Sequence, residues 1–334
     1  MDVAPIIALT MGDPAGIGPE VIVKAFQDDT LPLQARVVVI GDARLIQATA
    51  KECASEILVH KINKPDEGWY QTRTIDVIDL NNVPENIPIG KPSAVAGQAS
   101  YEAIKTAVDL ALRDEVSAIT TAPINKKSLH LAGYPFPGHT ELLAHFTKSK
   151  ESALMMAGNT MRVVLVTTHV PLEQVKSLIT EEKVLNAIHL THNWLAQHVT
   201  DVPNIAVTGL NPHCGDGGIF GQEENDFILP AIKTVQTQGI QASGPFSADA
   251  LFGRPGSQKY DAVVCMYHDQ GMIPVKMDSA GQGVNITLGI PILRTSVDHG
   301  TAFDIAGRDK ACSENLKMAL RTAARLSQST LSMK

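Results

Sequence analysis

Short apolar runs alternate along the chain with stretches of helical periodicity, and most of the runs stop abruptly at polar residues. Residues 5–10 (PIIALT) have the length and composition of a buried strand. They enter the turn-rich MGDPAGIGPE of residues 11–20 and then a helical pattern through Val21 and Phe26. The same order repeats with strand 36–40 before Gly41 and Asp42, helix 43–54, strand 74–80 and an amphipathic helix at 98–113. Strand 116–120, strand 163–166, helix 181–198 and the strands IAVTGL (205–210) and AVVCM (262–266) continue it. A last apolar run, 286–293, reads as one strand that delivers Arg294, Thr295 and Ser296 at its end. This alternation predicts an α/β fold, a largely parallel sheet covered on both faces in a three-layer α/β/α arrangement. In open α/β sheets ligands bind outside the carboxyl ends of strands. Polar residues that follow strands are therefore the candidates for chemistry, against the plainer alternative of loops that only link strands.

A chain of 334 residues suffices for one large domain built as two intimate lobes, expected at 1–125 plus 285–334 and at 126–284 with the active-site cleft between them. Hydrophobic residues at 44% and charged ones at 19% leave little room for disorder. A net charge of −7 without a basic run argues against nucleic acid, because phosphate-backbone binding needs clustered Lys and Arg. Cys53, Cys214, Cys265 and Cys312 are scattered without a CxxC pair, which suggests reduced thiols. With no basic leader and no span of membrane length, the expectation is a cytoplasmic protein that does not engage a membrane.

Three histidines share one context. His169 follows VVLVTT, His213 follows IAVTGL through Asn211 and Pro212, and His268 follows AVVCMY. Each stands at a strand exit, so all three can converge on one edge of a sheet, and three imidazoles leave a divalent cation open positions for substrate. Taken singly, each is equally a hydrogen-bonded histidine without metal. Three more, His189, His192 and His198, lie on a helical stretch and read as solvent-facing. Anion-binding candidates are His139, Thr140, Lys276, Asn285 and Arg294; a guanidinium can grip phosphate bidentately where an ammonium cannot. For Thr140 the alternative is an ordinary helix cap, and for Lys276 a stem lying along an apolar surface. Lys126, Asp249 and Asp269 are the candidates for moving a proton, the two carboxylates also for orienting a ligand histidine.

Six segments carry a further signal: GDPAGIGPE (12–20), PGHTE (137–141), TTHVPL (167–172), GLNPHCGDGG (209–218), MYHDQG (266–271) and GVNITLGIPILRTSVDHGTAFDIAG (283–307). In order and over nearly the whole chain, they resemble the 4-hydroxythreonine-4-phosphate dehydrogenase family. The resemblance implies that His169, His213 and His268 bind a divalent metal, commonly zinc, with the set completed across a homodimer interface. It implies that His139, Thr140, Lys276, Asn285 and Arg294 hold a phosphorylated substrate. The family's fold resembles isocitrate and isopropylmalate dehydrogenases, whose adenosine loop HGSAPDIAG is similar to residues 299–307; by that likeness Gly300, Thr301 and Asp304 are NAD candidates.

Within the family, the pyridoxine branch typically reads TGPxxK with a following INDAG, whereas this chain has TAPINKKSLHLAGY and HDQGMIPVK. Those segments look more like the branch acting on D-threonate or D-erythronate 4-phosphate. The implied reaction is NAD-dependent oxidation of a C3 hydroxyl, assisted by zinc, magnesium, manganese or cobalt and followed by loss of carbon dioxide. The alternatives are a 4-phosphohydroxy-L-threonine dehydrogenase of the same family, a metal-dependent phosphohydrolase and a non-catalytic sugar-phosphate binder.

Overall fold

The computed structural model describes residues 4–27, 35–253 and 259–332. The chain divides into two compact units, Met1–Lys150 with Ile290–Lys334, and Glu151–Gly289. Segment 126–150, expected in the second lobe, therefore packs with the first, and 285–289 with the second.

The first unit carries β1 (Ile6–Thr10), β2 (Arg36–Gly41), β3 (Leu58–Ile62), β4 (Thr74–Asp79), β5 (Ala118–Thr121) and β12 (Arg294–Ser296), in the order β3-β4-β2-β1-β5-β12. Every pairing is parallel. Parallel strands buried on both faces need near-continuous apolar runs, and residues 7–9 and 38–40 are wholly buried. The right-handed crossover rule puts α1 (Gly18–Gln27) and α2 (Ala43–Glu52) on one face, since β1, β2 and β3 step one way along the sheet. It puts α3 (Ala94–Leu112) on the other, because β4 to β5 steps back. The packing agrees: α1 touches α2 and the terminal α11 (Glu314–Ser332), while α3 touches α4 (Lys126–Leu131) and α5 (His139–Thr147). Ser93 caps α3 by accepting from the Ala96 N–H. Gly97 lets α4 lie directly on α3, since a Cβ there would stand 2.0 Å from the Ser128 carbonyl.

The second unit carries β6 (Ala153–Ala157), β7 (Arg162–Leu165), β8 (Asn204–Thr208), β9 (Gln241–Phe246), β10 (Ala262–Cys265) and β11 (Val284–Leu288), in the order β11-β6-β7-β10-β8-β9. It is parallel except for β6, which runs antiparallel to both neighbours. Helices α7 (Glu181–His198) and α8 (Leu229–Thr237) pack together, and α10 (His268–Ser279) lies on β6, β7 and β10. The unit also holds two shorter helices, α6 (Leu172–Leu178) and α9 (Ala248–Phe252). Its core joins Met156, Val163, Leu165, Ala206, Val263, Cys265, Met272 and Val275.

Two expectations change. The apolar run 286–293 is not one strand: β11 ends at Leu288, Gly289 turns at φ +81°, and Arg294 opens the separate strand β12. Pro291 in the gap lacks the N–H that a continuous strand would need. His198 is not solvent-facing. It is 7% exposed, its ring lies 5.0 Å from that of Trp194, and burial pulls its pKa down to about 4.

Candidate active site

Arg294 opens β12 opposite Ile119 of β5, an interior position that leaves it 2% exposed. Its Nη2 donates to the Thr121 hydroxyl at 2.7 Å. Burial pulls the guanidinium down to about 9, still ionised at neutral pH, and a buried cation is stabilised by an incoming anion. His139 is the first residue of α5, after Gly138, which caps the helix without any side chain. Thr140 is thus the second residue of the helix rather than its cap, while Leu142 and Leu143 anchor α5 in the core. His139 keeps some exposed surface as a residue, but its Nε2 is fully enclosed and has no partner. Desolvation, then the charge of Arg294, hold its pKa well below the ordinary range, so the ring is neutral at pH 7. Lys126 follows the helix cap Asn125, and its Cε lies 3.9 Å from where a Gly138 Cβ would stand. A guanidinium, a neutral imidazole, an ammonium and a helix N-terminus in one unit make a chemically coherent anion site.

In the second unit, β7, β10 and β8 are neighbouring parallel strands, so the exits carrying His169, His268 and His213 are adjacent. The rings of His169 and His268 lie 5.7 Å apart. His268 Nδ1 is 2.6 Å from Asp269 Oδ1, which leaves Nε2 for a ligand; of the two roles open to Asp269, this is the orienting one. His213 diverges. Residues 213–217 all have positive φ, a left-handed turn that includes the non-glycines His213, Cys214 and Asp216. Glu224, 2% exposed, holds its base by accepting from the Leu210 and Asn211 N–H groups at 2.8 and 2.7 Å. Among the described residues no three His, Cys, Asp or Glu groups gather to hold one metal ion. Within one chain the donors therefore fit a divalent cation in part: the His169 and His268 rings lie close, and no third described donor completes the set.

Asp249 sits exposed on α9. A hydrogen bond from Ser247 leads the causes that keep its carboxyl below the usual range, the charge of His213 among them, which weakens it as a base. Lys276 is exposed on α10, and half-buried Asn285 pairs with Met156 across β11 and β6. Cys214 and Cys265 have raised pKa values, both chiefly from burial, so neither is an activated thiol; no disulfide joins the four cysteines.

The NAD candidates lie on the loop after β12. The Thr301 carbonyl accepts from the Ile17 N–H at 3.0 Å, which closes this loop onto the glycine-rich turn of residues 12–18. Gly16 is required there, since a Cβ would meet Thr301 at 2.9 Å. Gly300 is open and Asp304 exposed. A cavity of about 570 Å³ opens beside this junction, lined among others by Pro14, Gly16, Ile87, Ile89, Gly307 and Arg308; Gly300, Thr301 and Asp304 are not in its lining. Three residues with clear structural roles, Thr121, Glu224 and Gln270, had no assigned role from sequence. Thr121, directly after strand 116–120, and Gln270, two residues after a strand-exit histidine, carried a positional signal; Glu224 carried none.

The family described as pyridoxal phosphate biosynthetic protein PdxA matches residues 33–323. A 4-hydroxythreonine-4-phosphate dehydrogenase of Trichlorobacter lovleyi is 46% identical over 327 residues, covering 96% of this chain and 97% of its own. A D-threonate 4-phosphate dehydrogenase of Cupriavidus necator is 45% identical over 326 residues, covering 97% and 98%. The solved 4-hydroxythreonine-4-phosphate dehydrogenase of Klebsiella pneumoniae is 39% identical, covers 98% of this chain and 99% of its own, and superposes with a TM-score of 0.92. With the fold shared over nearly its full length, the chain belongs to the PdxA family and is a dehydrogenase, an oxidoreductase acting on a CH–OH group.

Proposed function

We propose that this enzyme oxidises the C3 hydroxyl of a four-carbon, 4-phosphorylated hydroxy acid, D-threonate or D-erythronate 4-phosphate, and that the resulting 3-oxo acid loses carbon dioxide to leave a three-carbon hydroxyketone phosphate. The observation that carries the reading is the buried Arg294 beside neutral His139 and the N-terminus of α5, which suits a phosphate dianion. The relative from Cupriavidus necator, named for D-threonate 4-phosphate, supports the substrate class.

In this reading Arg294, His139 and Thr140 bind the substrate's phosphate, and Lys276 and Asn285 are further substrate-binding candidates. His169, His268 and His213 hold a divalent cation, zinc or one of magnesium, manganese and cobalt, which when bound supplies Lewis acidity to the substrate's hydroxyl oxygen, while NAD accepts the hydride. Asp269 keeps the His268 ring oriented. Lys126, near the start of α5, and Asp249, whose carboxyl is held below its usual range, are the candidates for taking the hydroxyl proton, Lys126 only as the neutral amine rather than the ammonium. Gly300, Thr301 and Asp304 belong to the NAD site, for which the adjoining cavity offers room.

A homodimer completes the reading. Leu172, Ile219, Phe220, Ile273 and Met277 are large apolar residues left exposed in the unit that carries the incompletely gathered histidines.

The test is NADH formation with D-threonate 4-phosphate, D-erythronate 4-phosphate and 4-phosphohydroxy-L-threonine side by side. The expected result is a higher kcat/KM for one of the two threonate-type acids, since a site shaped for a C2 hydroxyl leaves an amine badly paired. A clear preference for the amino substrate reverses the branch. Release of inorganic phosphate without NADH overturns the reaction.

A further inference from the structure

Gln270 is the third residue of α10, and its side chain uses three of its four hydrogen-bonding positions on the ends of two strands. Its Oε1 accepts from the Met266 backbone N–H and from the Thr208 hydroxyl, both at 2.7 Å, and its Nε2 donates to the Gly209 carbonyl at 2.7 Å. Met266 follows β10 and leads into His268; Thr208 ends β8 and Gly209 opens the loop to His213. One amide thus joins the two segments that carry these histidines.

The first turn of α10 is poorly secured by its own backbone. Tyr267 caps the helix without a side-chain hydrogen bond, and Pro274 has no N–H to offer the carbonyl of Gln270 one turn earlier. The loop on the other side is gripped at Leu210 and Asn211 by Glu224, but Glu224 makes no bond to the His268 segment. Gln270 supplies that link.

We propose that Gln270 is a positioning residue, which sets the relation of the His268 and His213 segments and through it the metal affinity of the site; the inference rests on the metal reading given above. Gln270→Glu is nearly isosteric and keeps both bonds accepted by Oε1, but sets an oxygen against the Gly209 carbonyl. Gln270→Leu removes all three bonds at similar volume.

Metal-stripped full-length protein is titrated with Zn²⁺ alone, and a parallel sample loaded with Co²⁺ is read by its visible spectrum. Both variants should bind Zn²⁺ more weakly than the parent, by about 10-fold, the lower end of the range found when a direct partner of a metal ligand is lost, because Gln270 acts on the segments rather than on a histidine ring, and the Co²⁺ spectrum should change. Parental Zn²⁺ affinity and an unchanged Co²⁺ spectrum in both variants, with or without a lower melting temperature, overturn the inference; Gln270 is then only a brace. His268→Ala separates the two readings. If it loses the metal while both Gln270 variants keep it, only the inference falls, and if it binds Zn²⁺ as the parent does, the metal reading falls and the inference with it.

Discussion

In the first unit Arg294 is 2% exposed, its guanidinium is anchored on Thr121 and the neighbouring His139 Nε2 is enclosed. In the second unit His268 keeps 39% of its side chain exposed and Asp269 73%, and His169 and His213 stand at the surface. Arg294 opens a strand and the three histidines follow strands, so position in the fold does not account for the difference. Burial does. A charge enclosed by its own chain has its geometry fixed by folding, while a surface histidine takes its geometry from local ties such as Asp269 and Gln270 and from whatever later covers it.

The largest effect expected from this contrast is on the exposed set. Chelation, His169→Ala, His213→Ala and His268→Ala should each abolish turnover together with metal binding, measured by metal content and NADH formation. A subunit-mixing experiment then breaks or sharpens the contrast. If the exposed set is completed by a second copy, mixing inactive His213→Ala with inactive His268→Ala protein should restore about a quarter of parental activity, because half the dimers are mixed and each carries one intact site. No recovery means that one chain supplies all three ligands.

Next comes a test of whether burial, rather than the unit, is the variable. His198 lies in the second unit yet is buried, with a pKa near 4 against an ordinary 6.5. Because the unfolded chain binds this proton more readily, its contribution to stability is complete above pH 6.5 and is lost as pH falls toward 4, on the order of 3 kcal/mol in all. His198→Phe should flatten the acid limb of stability measured by denaturant titration between those pH values. An equally steep limb would mean that other groups set it.

The smallest effect is the most selective. Arg294→Lys should lower kcat/KM for the phosphorylated substrate by about 1–3 kcal/mol, since a point charge replaces a planar fork. A dephosphorylated substrate should be poor and nearly blind to the change. Equal slowing of both would mean that Arg294 does not read phosphate.

Much of this arrangement was legible beforehand, and the losses have physical causes. Strand-then-helix order gave the α/β class, and the bounds of α7 agreed to the residue. β3, β6 and β9 escaped because LVHKI, ALMMA and QASGPF carry His, Lys, Met, Gly or Pro where strands favour β-branched residues. The run 286–293 was read as one strand although Gly289 and Pro291 signalled its break. The three strand exits were right and proved adjacent, but periodicity carries no information about a left-handed turn, so the turn that carries His213 could not be read. The roles of Thr121 and Glu224 were invisible because they depend on contacts with residues remote in sequence or on the turn itself.

That turn has a consequence for variant libraries. An L-residue in the left-handed region costs roughly 1–2 kcal/mol relative to the ordinary helical one, and residues 213, 214 and 216 all occupy it where glycine would be at ease. A library scored by cellular abundance should therefore enrich glycine at 213, while one scored by turnover should retain histidine there. Stabilising this enzyme by abundance alone would then select against a ligand of the proposed metal site.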